Sequence, residues 1–349
     1  MIPRLFTAAP ILLAFTPDWL VGSTGPLGAG LPLARLLVHH PWDTRRVTMS
    51  FGISGVYCAA VTPLNADLSP DLKRVGEHCL GLLADGCHGI ALLGTTGEAN
   101  SFSVAERKAI LEAALAAGVT PEQLAPGVGV AAIPDTVELV RHALGTGVTR
   151  VVMLPPFYYK GVSDDGIFAA YARIIEVVAD PRLKVVLYHI PQTSAVPLSR
   201  PLVKRLIAAF PDTVIGLKDS SGDYGNMQGL VEDNPGFAVM VGADPLFLPF
   251  LKIGGAGCIT ATCNLVPGAL RTVYNHHADP ARAAEVDVAQ TRLEAARALL
   301  NAYGQIPTIK AVFADRSGDP GWSRVRPPLM PFDPARLGEL RQRVAALPG

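Results

Sequence analysis

The sequence has no excess charge of either sign. Its 349 residues include 30 lysines and arginines and 30 aspartates and glutamates, so the formal net charge is zero at pH 7. Nucleic acids and anionic membrane surfaces attract proteins with a basic patch or stripe, and the sequence suggests neither. We therefore expect no nucleic-acid binding and no membrane binding.

Disulfide and metal-binding motifs are also missing. The five cysteines, at positions 58, 79, 87, 258 and 263, are odd in number and form no CxxC pair. The eight histidines show no HxH or HExxH spacing, which excludes the common zinc motifs. We expect buried free thiols in a reducing, cytoplasmic compartment. The sequence predicts no metal site and no cofactor.

No apolar run approaches the ~20 residues that a membrane-spanning helix needs. The first 48 residues hold one short apolar run, residues 11–15, among many prolines and glycines. Arg4 gives this stretch a faint likeness to a signal peptide, but Pro10 interrupts it and no clear small-x-small cleavage site follows. Because Met49 precedes the first strand pattern, we expect translation to begin there. A disordered extension and a cleaved targeting segment are the alternatives.

From residue 51 onward, short apolar runs alternate with amphipathic stretches, which is typical of parallel strands joined by helices. Eight strands are predicted, at residues 53–61, 88–93, 125–130, 149–154, 183–189, 213–218, 237–241 and 256–261. The pattern predicts a (β/α)8 TIM barrel over residues 49–279 and a C-terminal helical extension over residues 280–349. A doubly wound open sheet is the alternative, but residues 62–65 lack the glycine-rich fingerprint it would need.

Catalytic side chains of such barrels project from the carboxyl ends of the strands, and the sixth predicted strand ends in Lys218. Burial disfavours the charged form of a lysine and leaves the neutral amine that attacks a ketone to give a Schiff base. Lysine is rarely buried without a partner. A structural salt bridge to Asp219 or Glu98 is therefore the alternative interpretation.

Three further strand exits carry candidate residues. After strand two, the GTTGE turn at 94–98 offers backbone N–H groups, the Thr95 and Thr96 hydroxyls and a following helix start to a small carboxylate, although such turns are also common connections. After strand four, Tyr158 is either a proton relay or a packing residue. Gly242 and Asp244 follow strand seven and could line the far side of the pocket, but Asp244 could equally cap a helix.

In combination, these motifs resemble the dihydrodipicolinate synthase and N-acetylneuraminate lyase family of class I aldolases. The resemblance covers about residues 51–330 and rests on GTTGE at 94–98, PPFYY at 155–159, YHIP at 188–191 and GLKDSSG at 216–222. It implies that Lys218 forms the Schiff base with pyruvate or a longer 2-oxo acid, that Thr95 and Thr96 hold the carboxylate, and that Tyr158 transfers protons. It also implies that the Ile259 carbonyl frames the pyruvate site, that no metal is needed, and that the protein is a homo-oligomer, a tetramer or a dimer.

The sequence departs from the synthase pattern at two places. Thr193 stands where synthases carry the arginine that grips the semialdehyde carboxylate, and the nearest basic residues in sequence are Lys160 and Arg200. Residues 129–133 offer no hydroxyl where many synthases receive a tyrosine from a neighbouring subunit. His189, where many relatives have asparagine, either reshapes the pocket floor or is a satisfied buried histidine.

We therefore predict a Schiff-base lyase, an aldolase or dehydratase, that acts on pyruvate or another 2-oxo acid through Lys218. The alternatives are 4-hydroxy-tetrahydrodipicolinate synthase itself and a non-catalytic protein that binds a keto acid. Missing ligand spacings disfavour a metal-dependent aldolase.

Overall fold

The computed structural model describes residues 52–348, so the predictions for residues 1–48 lie outside the described part of the chain. Parallel strands form a nearly closed barrel in the order β2-β1-β7-β6-β5-β4-β3. Their bounds are β1 (Gly55–Ala59), β2 (Gly89–Ala91), β3 (Arg150–Met153), β4 (Lys184–His189), β5 (Val214–Asp219), β6 (Ala238–Val241) and β7 (Gly257–Thr260). The predicted TIM-barrel architecture is confirmed.

The predicted third strand, residues 125–130, is not a regular strand. Isolated parallel bridges join Leu124, just before this stretch, to β2 and Gly127 within it to β3, so the segment fills the gap that the seven strands leave. Pro126 has no N–H to donate to a ladder. A Cβ at Gly127 would lie 2.2 Å from the carbonyl oxygen of Leu93, which shows how closely the two backbones approach. The barrel therefore has eight strand positions, of which seven are regular strands.

Helices connect the strands and continue beyond the barrel. Their bounds are α1 (Leu72–Ala84), α2 (Val104–Ala116), α3 (Ile133–Gly145), α4 (Asp164–Val178), α5 (Pro191–Ser194), α6 (Arg200–Ala209), α7 (Tyr224–Asp233), α8 (Phe247–Lys252), α9 (Pro267–His276), α10 (Ala283–Tyr303), α11 (Gln305–Ser317) and α12 (Leu337–Ala345). The last three form the predicted helical extension. Over residues 52–348, no helix is both long and apolar enough to cross a membrane.

The core has two layers because alternate residues of each strand point to opposite faces of the sheet. On β1, Tyr57 and Ala59 join the cluster inside the barrel, and Val56 and Cys58 join the larger cluster beneath the helices. Both faces are buried, which explains why the strands read as continuous apolar runs. All five cysteines are buried and unpaired, as predicted from the sequence.

Candidate active site

A cavity of about 300 Å³ opens at the carboxyl ends of the strands. Its walls come from strand exits, from the loop after β2, and from α10 and the start of α11 in the helical extension. The lining residues include six of the predicted site residues: Thr95, Thr96, Thr193, Lys218, Gly242 and Ile259. The cavity is therefore where the strand-exit argument placed the site.

Lys218 lies at the centre of this cavity's strand wall. It is the fifth residue of β5, it is 5% exposed, and it pairs in register with Tyr188 on β4. The Lys218 Nζ lies 4.1 Å from the centre of the Tyr188 ring. Parallel neighbouring strands thus place the amine and the aromatic ring side by side.

The ion-pair alternative for Lys218 is not supported. Asp219 accepts hydrogen bonds from Ser221 and Asn226 instead, and Glu98 is paired with Lys310. Within the described chain, no carboxylate lies within salt-bridge distance of the Lys218 Nζ. A buried lysine without a carboxylate partner is unusual for a purely structural residue.

Tyr188 connects Lys218 to the loop after β2. The Tyr188 hydroxyl lies 3.3 Å from the Thr95 Oγ1. Burial by itself would raise the pKa of Tyr188, but the positive charge of Lys218 and hydrogen bonds with Thr95 and Ser220 outweigh it, so the pKa lies below its usual value. A phenol with a lowered pKa, in a hydrogen-bonded chain beside an amine, is suited to proton transfer.

The structure does not bring Tyr158 into this arrangement. Its side chain is 72% exposed, it packs edge-on against Tyr159 at a ring distance of 5.3 Å, and it does not line the cavity. Residues 155–163 form a loop between β3 and α4 that carries both tyrosines out to solvent in the chain described here. Among the residues described, the tyrosine beside Lys218 is Tyr188, whereas the resemblance assigned the proton transfer to Tyr158.

The GTTGE loop at 94–98 presents Thr95 and Thr96 to the cavity. The N–H groups of Thr95, Thr96 and Gly97 have no hydrogen-bond partner among residues 52–348, so they remain available to an anion. Glu98 closes the loop in the left-handed region, at φ 56°, which costs energy for a residue with a side chain and recurs at functional sites.

A buried ion pair holds the loop from the helical extension. Lys310 on α11 donates to Glu98 Oε1, and both side chains are fully buried. The Arg326 N–H donates to Glu98 Oε2 at 3.1 Å. Burial lowers the pKa of Lys310, and the Glu98 carboxylate opposes this shift. We did not predict this role of the extension from the sequence, because a lysine on an amphipathic helix is usually exposed to solvent.

The helix expected just beyond the GTTGE loop does not begin directly after it. A 3-10 turn, Ala99–Ser101, comes first, and α2 begins only at Val104. Ser103 and Glu106 form a capping box: they exchange hydrogen bonds that satisfy N–H groups at the start of α2. The first N–H groups of α2 are thus used within the cap, whereas those of Thr95, Thr96 and Gly97 are not bonded in the described chain.

Asp244 neither lines the cavity nor caps a helix. It is completely buried behind the wall and begins a 3-10 turn without a side-chain cap. Its Oδ2 accepts hydrogen bonds from Thr260 at 3.0 Å, Thr262 at 2.7 Å and Arg297 at 3.1 Å. Burial raises the pKa of Asp244, although these three partners oppose the shift. The predicted substrate contact of Asp244 is thus replaced by a contact with Arg297.

Lys160 and Arg200, the basic residues nearest to Thr193 in sequence, do not line the cavity. Lys160 donates to the Ser194 carbonyl at 2.8 Å, and Arg200 pairs with Asp233. Besides Lys218, the basic residue that lines the cavity is Arg297 on α10, which we did not predict. The i, i+3, i+4 spacing of Arg297, Leu300 and Asn301 is the sequence signal that they share one face of a helix.

His189 is a satisfied buried histidine. Its Nδ1 accepts the Leu198 N–H at 3.0 Å, and it does not line the cavity. Burial lowers the pKa of His189, which keeps the ring neutral, while Asp219 and Asp223 oppose the shift.

Comparisons with known proteins show similarity to one family. The dihydrodipicolinate synthetase family profile matches residues 52–347. An uncharacterized DapA-like lyase from Chloroflexus aurantiacus is 36% identical over 82% of this chain and 94% of its own. A 4-hydroxy-tetrahydrodipicolinate synthase from Methanopyrus kandleri is 30% identical over 76% of this chain and 87% of its own.

Solved structures show the same likeness. The dihydrodipicolinate synthase of Agrobacterium tumefaciens has 31% identity and a TM-score of 0.76, covering 84% of this chain and 99% of its own. A prophage protein of the family from E. coli K12, crystallised with pyruvate, has 25% identity and a TM-score of 0.77, covering 84% and 98%.

Proposed function

Because the chain belongs to the dihydrodipicolinate synthetase family, and so is a lyase, we propose that it forms a Schiff base between Lys218 and the keto carbon of pyruvate or another 2-oxo acid. The observation that carries this proposal is the environment of Lys218. The amine is buried at the cavity wall, it has no carboxylate partner in the described chain, and it stands 4.1 Å from the ring of Tyr188.

The first step positions the keto acid. Its carboxylate binds the free N–H groups and the hydroxyls of Thr95 and Thr96, and the Ile259 carbonyl bounds the same space. The Lys218 amine then attacks the keto carbon, and the resulting carbinolamine loses water. Tyr188 gives the departing hydroxyl a proton and passes protons along its hydrogen bond to Thr95.

The protonated imine then acts as the electron sink. In the cleavage direction, a base removes the C4 hydroxyl proton, the C3–C4 bond breaks, and the aldehyde leaves. The remaining enamine takes a proton at C3, and hydrolysis of the imine releases pyruvate and restores Lys218. The bond electrons are held by the imine nitrogen, so no step of this scheme requires a metal.

The second candidate, 4-hydroxy-tetrahydrodipicolinate synthase, is weakened by Thr193. This residue lines the cavity and offers one neutral hydroxyl where an arginine would offer a planar fork of donors to the semialdehyde carboxylate. A non-catalytic keto-acid-binding protein is disfavoured because simple binding does not require a buried amine.

A substrate screen tests the proposed function. The protein is incubated with a series of 4-hydroxy-2-oxo acids, and pyruvate release is coupled to lactate dehydrogenase. We expect release from at least one member, none from Lys218→Ala, and a similar melting temperature for both proteins because Lys218 faces the cavity. Pyruvate binding without turnover of any member would favour the non-catalytic alternative.

We also propose that the protein is a homo-oligomer, a tetramer or a dimer. Tyr158 and Tyr159 are 72% and 75% exposed and pack against each other, and aromatic residues are enriched at protein interfaces. Light scattering coupled to size exclusion should give a mass of two or four chains, and Tyr158→Ser with Tyr159→Ser should lower it. A monomeric parent protein would contradict the proposal.

A further inference from the structure

The active-site cavity carries basic side chains on two of its walls. Its lining includes two cationic side chains, Lys218 and Arg297, and no acidic side chain among the residues that the structure describes. Lys218 comes from the strand wall, and Arg297 comes from α10 in the helical extension. The two cations therefore belong to different walls of one cavity.

Arg297 is held in place from behind. Its Nη1 donates to the Asp244 Oδ2 at 3.1 Å, and this is its one hydrogen bond within residues 52–348. Asp244 is fully buried and is fixed in turn by Thr260 and Thr262. The Arg297 side chain is 20% exposed, so the remaining N–H groups of its five-donor fork are available on the cavity side.

Polar neighbours extend this surface. Asn301 lies one turn further along α10, and Gln305 begins α11; both line the cavity with Arg297. An amide group can donate to a carboxylate oxygen beside a guanidinium. Together they form a cluster of donors from the extension that no step of the proposed imine chemistry uses.

We propose that Arg297, with Asn301 and Gln305, binds a second carboxylate at the end of the substrate remote from the keto group. This inference rests on the proposed function and narrows its substrate class to dicarboxylic 2-oxo acids. Lys218 and the GTTGE loop take the oxo-acid end. Arg297 takes the far carboxylate from the α10 wall, and Thr193 on α5 adds no charge to the cavity.

A purely structural Arg297–Asp244 pair is the competing explanation. Such a pair would contribute to stability but would not discriminate between substrates that differ only at their far end. A binding role predicts discrimination. The two explanations therefore differ in the ratio of two specificity constants, which a general loss of folding does not change.

The test uses two cleavage substrates that differ in one group. In 4-hydroxy-2-oxoglutarate the far end is a carboxylate, and in 4-hydroxy-2-oxopentanoate it is a methyl group; both release pyruvate. The parent protein should prefer the dicarboxylate by roughly tenfold to a hundredfold in kcat/KM, since that end makes charge-assisted hydrogen bonds. Arg297→Gln should remove most of this preference, mainly through KM, and Arg297→Lys should keep part of it.

Two further variants keep the result interpretable. Arg297→Gln combined with Asp244→Asn avoids an unpaired buried carboxylate and should show the same lost preference if the single variant folds poorly. Arg292→Gln, on α10 but outside this cavity, should leave the ratio unchanged. An equal preference in the parent and in the Arg297 variants overturns the proposal.

The proposed function is checked separately by borohydride trapping of pyruvate on Lys218 in the parent protein. Trapping without any preference for the dicarboxylate overturns the Arg297 proposal alone. Absence of trapping overturns the imine mechanism, and the Arg297 proposal falls with it.

Discussion

Removing one partner of the buried ion pair between Glu98 and Lys310 should destabilise the fold strongly. Both side chains are completely buried, and Lys310→Met removes the ammonium while it keeps most of the length of the side chain. The Glu98 carboxylate then remains in the interior without its cation. Removing one partner of a buried pair costs about 3–5 kcal/mol.

This cost converts to a measurable shift of the melting temperature. Unfolding entropy near 60 °C is about 2.1 cal/mol/K per residue, which gives roughly 0.6 kcal/mol/K for a chain the length of the described region. The melting temperature should therefore fall by about 5–8 °C. Because Glu98 closes the GTTGE loop, imine formation with pyruvate should slow as well.

Differential scanning calorimetry is the assay, and an exposed pair supplies the control. Lys73 and Glu77 are 85% and 59% exposed, so Lys73→Met should cost at most about 1 kcal/mol. Lys310→Met combined with Glu98→Gln removes the unpaired charge and keeps an acceptor for the Arg326 N–H, so it should recover much of the loss. A fall of under about 2 °C in Lys310→Met would refute the reasoning.

Three further predictions concern the site and the core. Tyr188→Phe should slow pyruvate imine formation by ~10²–10⁴-fold in a stopped-flow assay, whereas Tyr158→Phe should leave it nearly unchanged; the opposite order would return the proton relay to Tyr158. Thr193→Arg should raise condensation of pyruvate with aspartate semialdehyde from a low base, and no change would show that the loop does not set specificity. Burial lowers the pKa of His78 to about 4, opposed by Asn264. As the pH falls, this histidine therefore binds a proton in the unfolded chain before it does so in the folded chain. The free energy of unfolding should fall by about 3 kcal/mol between pH 6.5 and 4. His78→Gln should reduce this dependence of the unfolding free energy on pH, measured by urea titration.

The barrel could be predicted because its signal is local. Each strand is buried on both faces and reads as an apolar run, and each run ends where a helix pattern begins. The third strand position was the exception. There Pro126 and Gly127 allow an extended backbone to pass close to Leu93 without forming a regular ladder.

Lys218 could be predicted because a charged residue at the end of an apolar strand conflicts with burial. Tyr188 could not be distinguished in the same way, since a tyrosine inside an apolar strand is equally suited to the core. Its role becomes visible only in the register that pairs it with Lys218 on the neighbouring strand.

The contributions of the extension could not be predicted from strand exits. Arg297 and Lys310 lie on helices whose sequence position gives no information about the loop or cavity they reach. Asp244 illustrates the same limit: the carboxylate follows a strand, as a substrate ligand would, but it turns behind the wall and pairs with Arg297. Only long-range packing decides between these outcomes.

The central claim is that Lys218 is the covalent residue, and one measurement tests it most directly. The protein is incubated with pyruvate and sodium borohydride, digested, and analysed by mass spectrometry. We predict a reduced pyruvyl adduct on the peptide that contains Lys218, and no adduct in Lys218→Ala. An adduct on another lysine such as Lys310, or no adduct at all, would contradict the account.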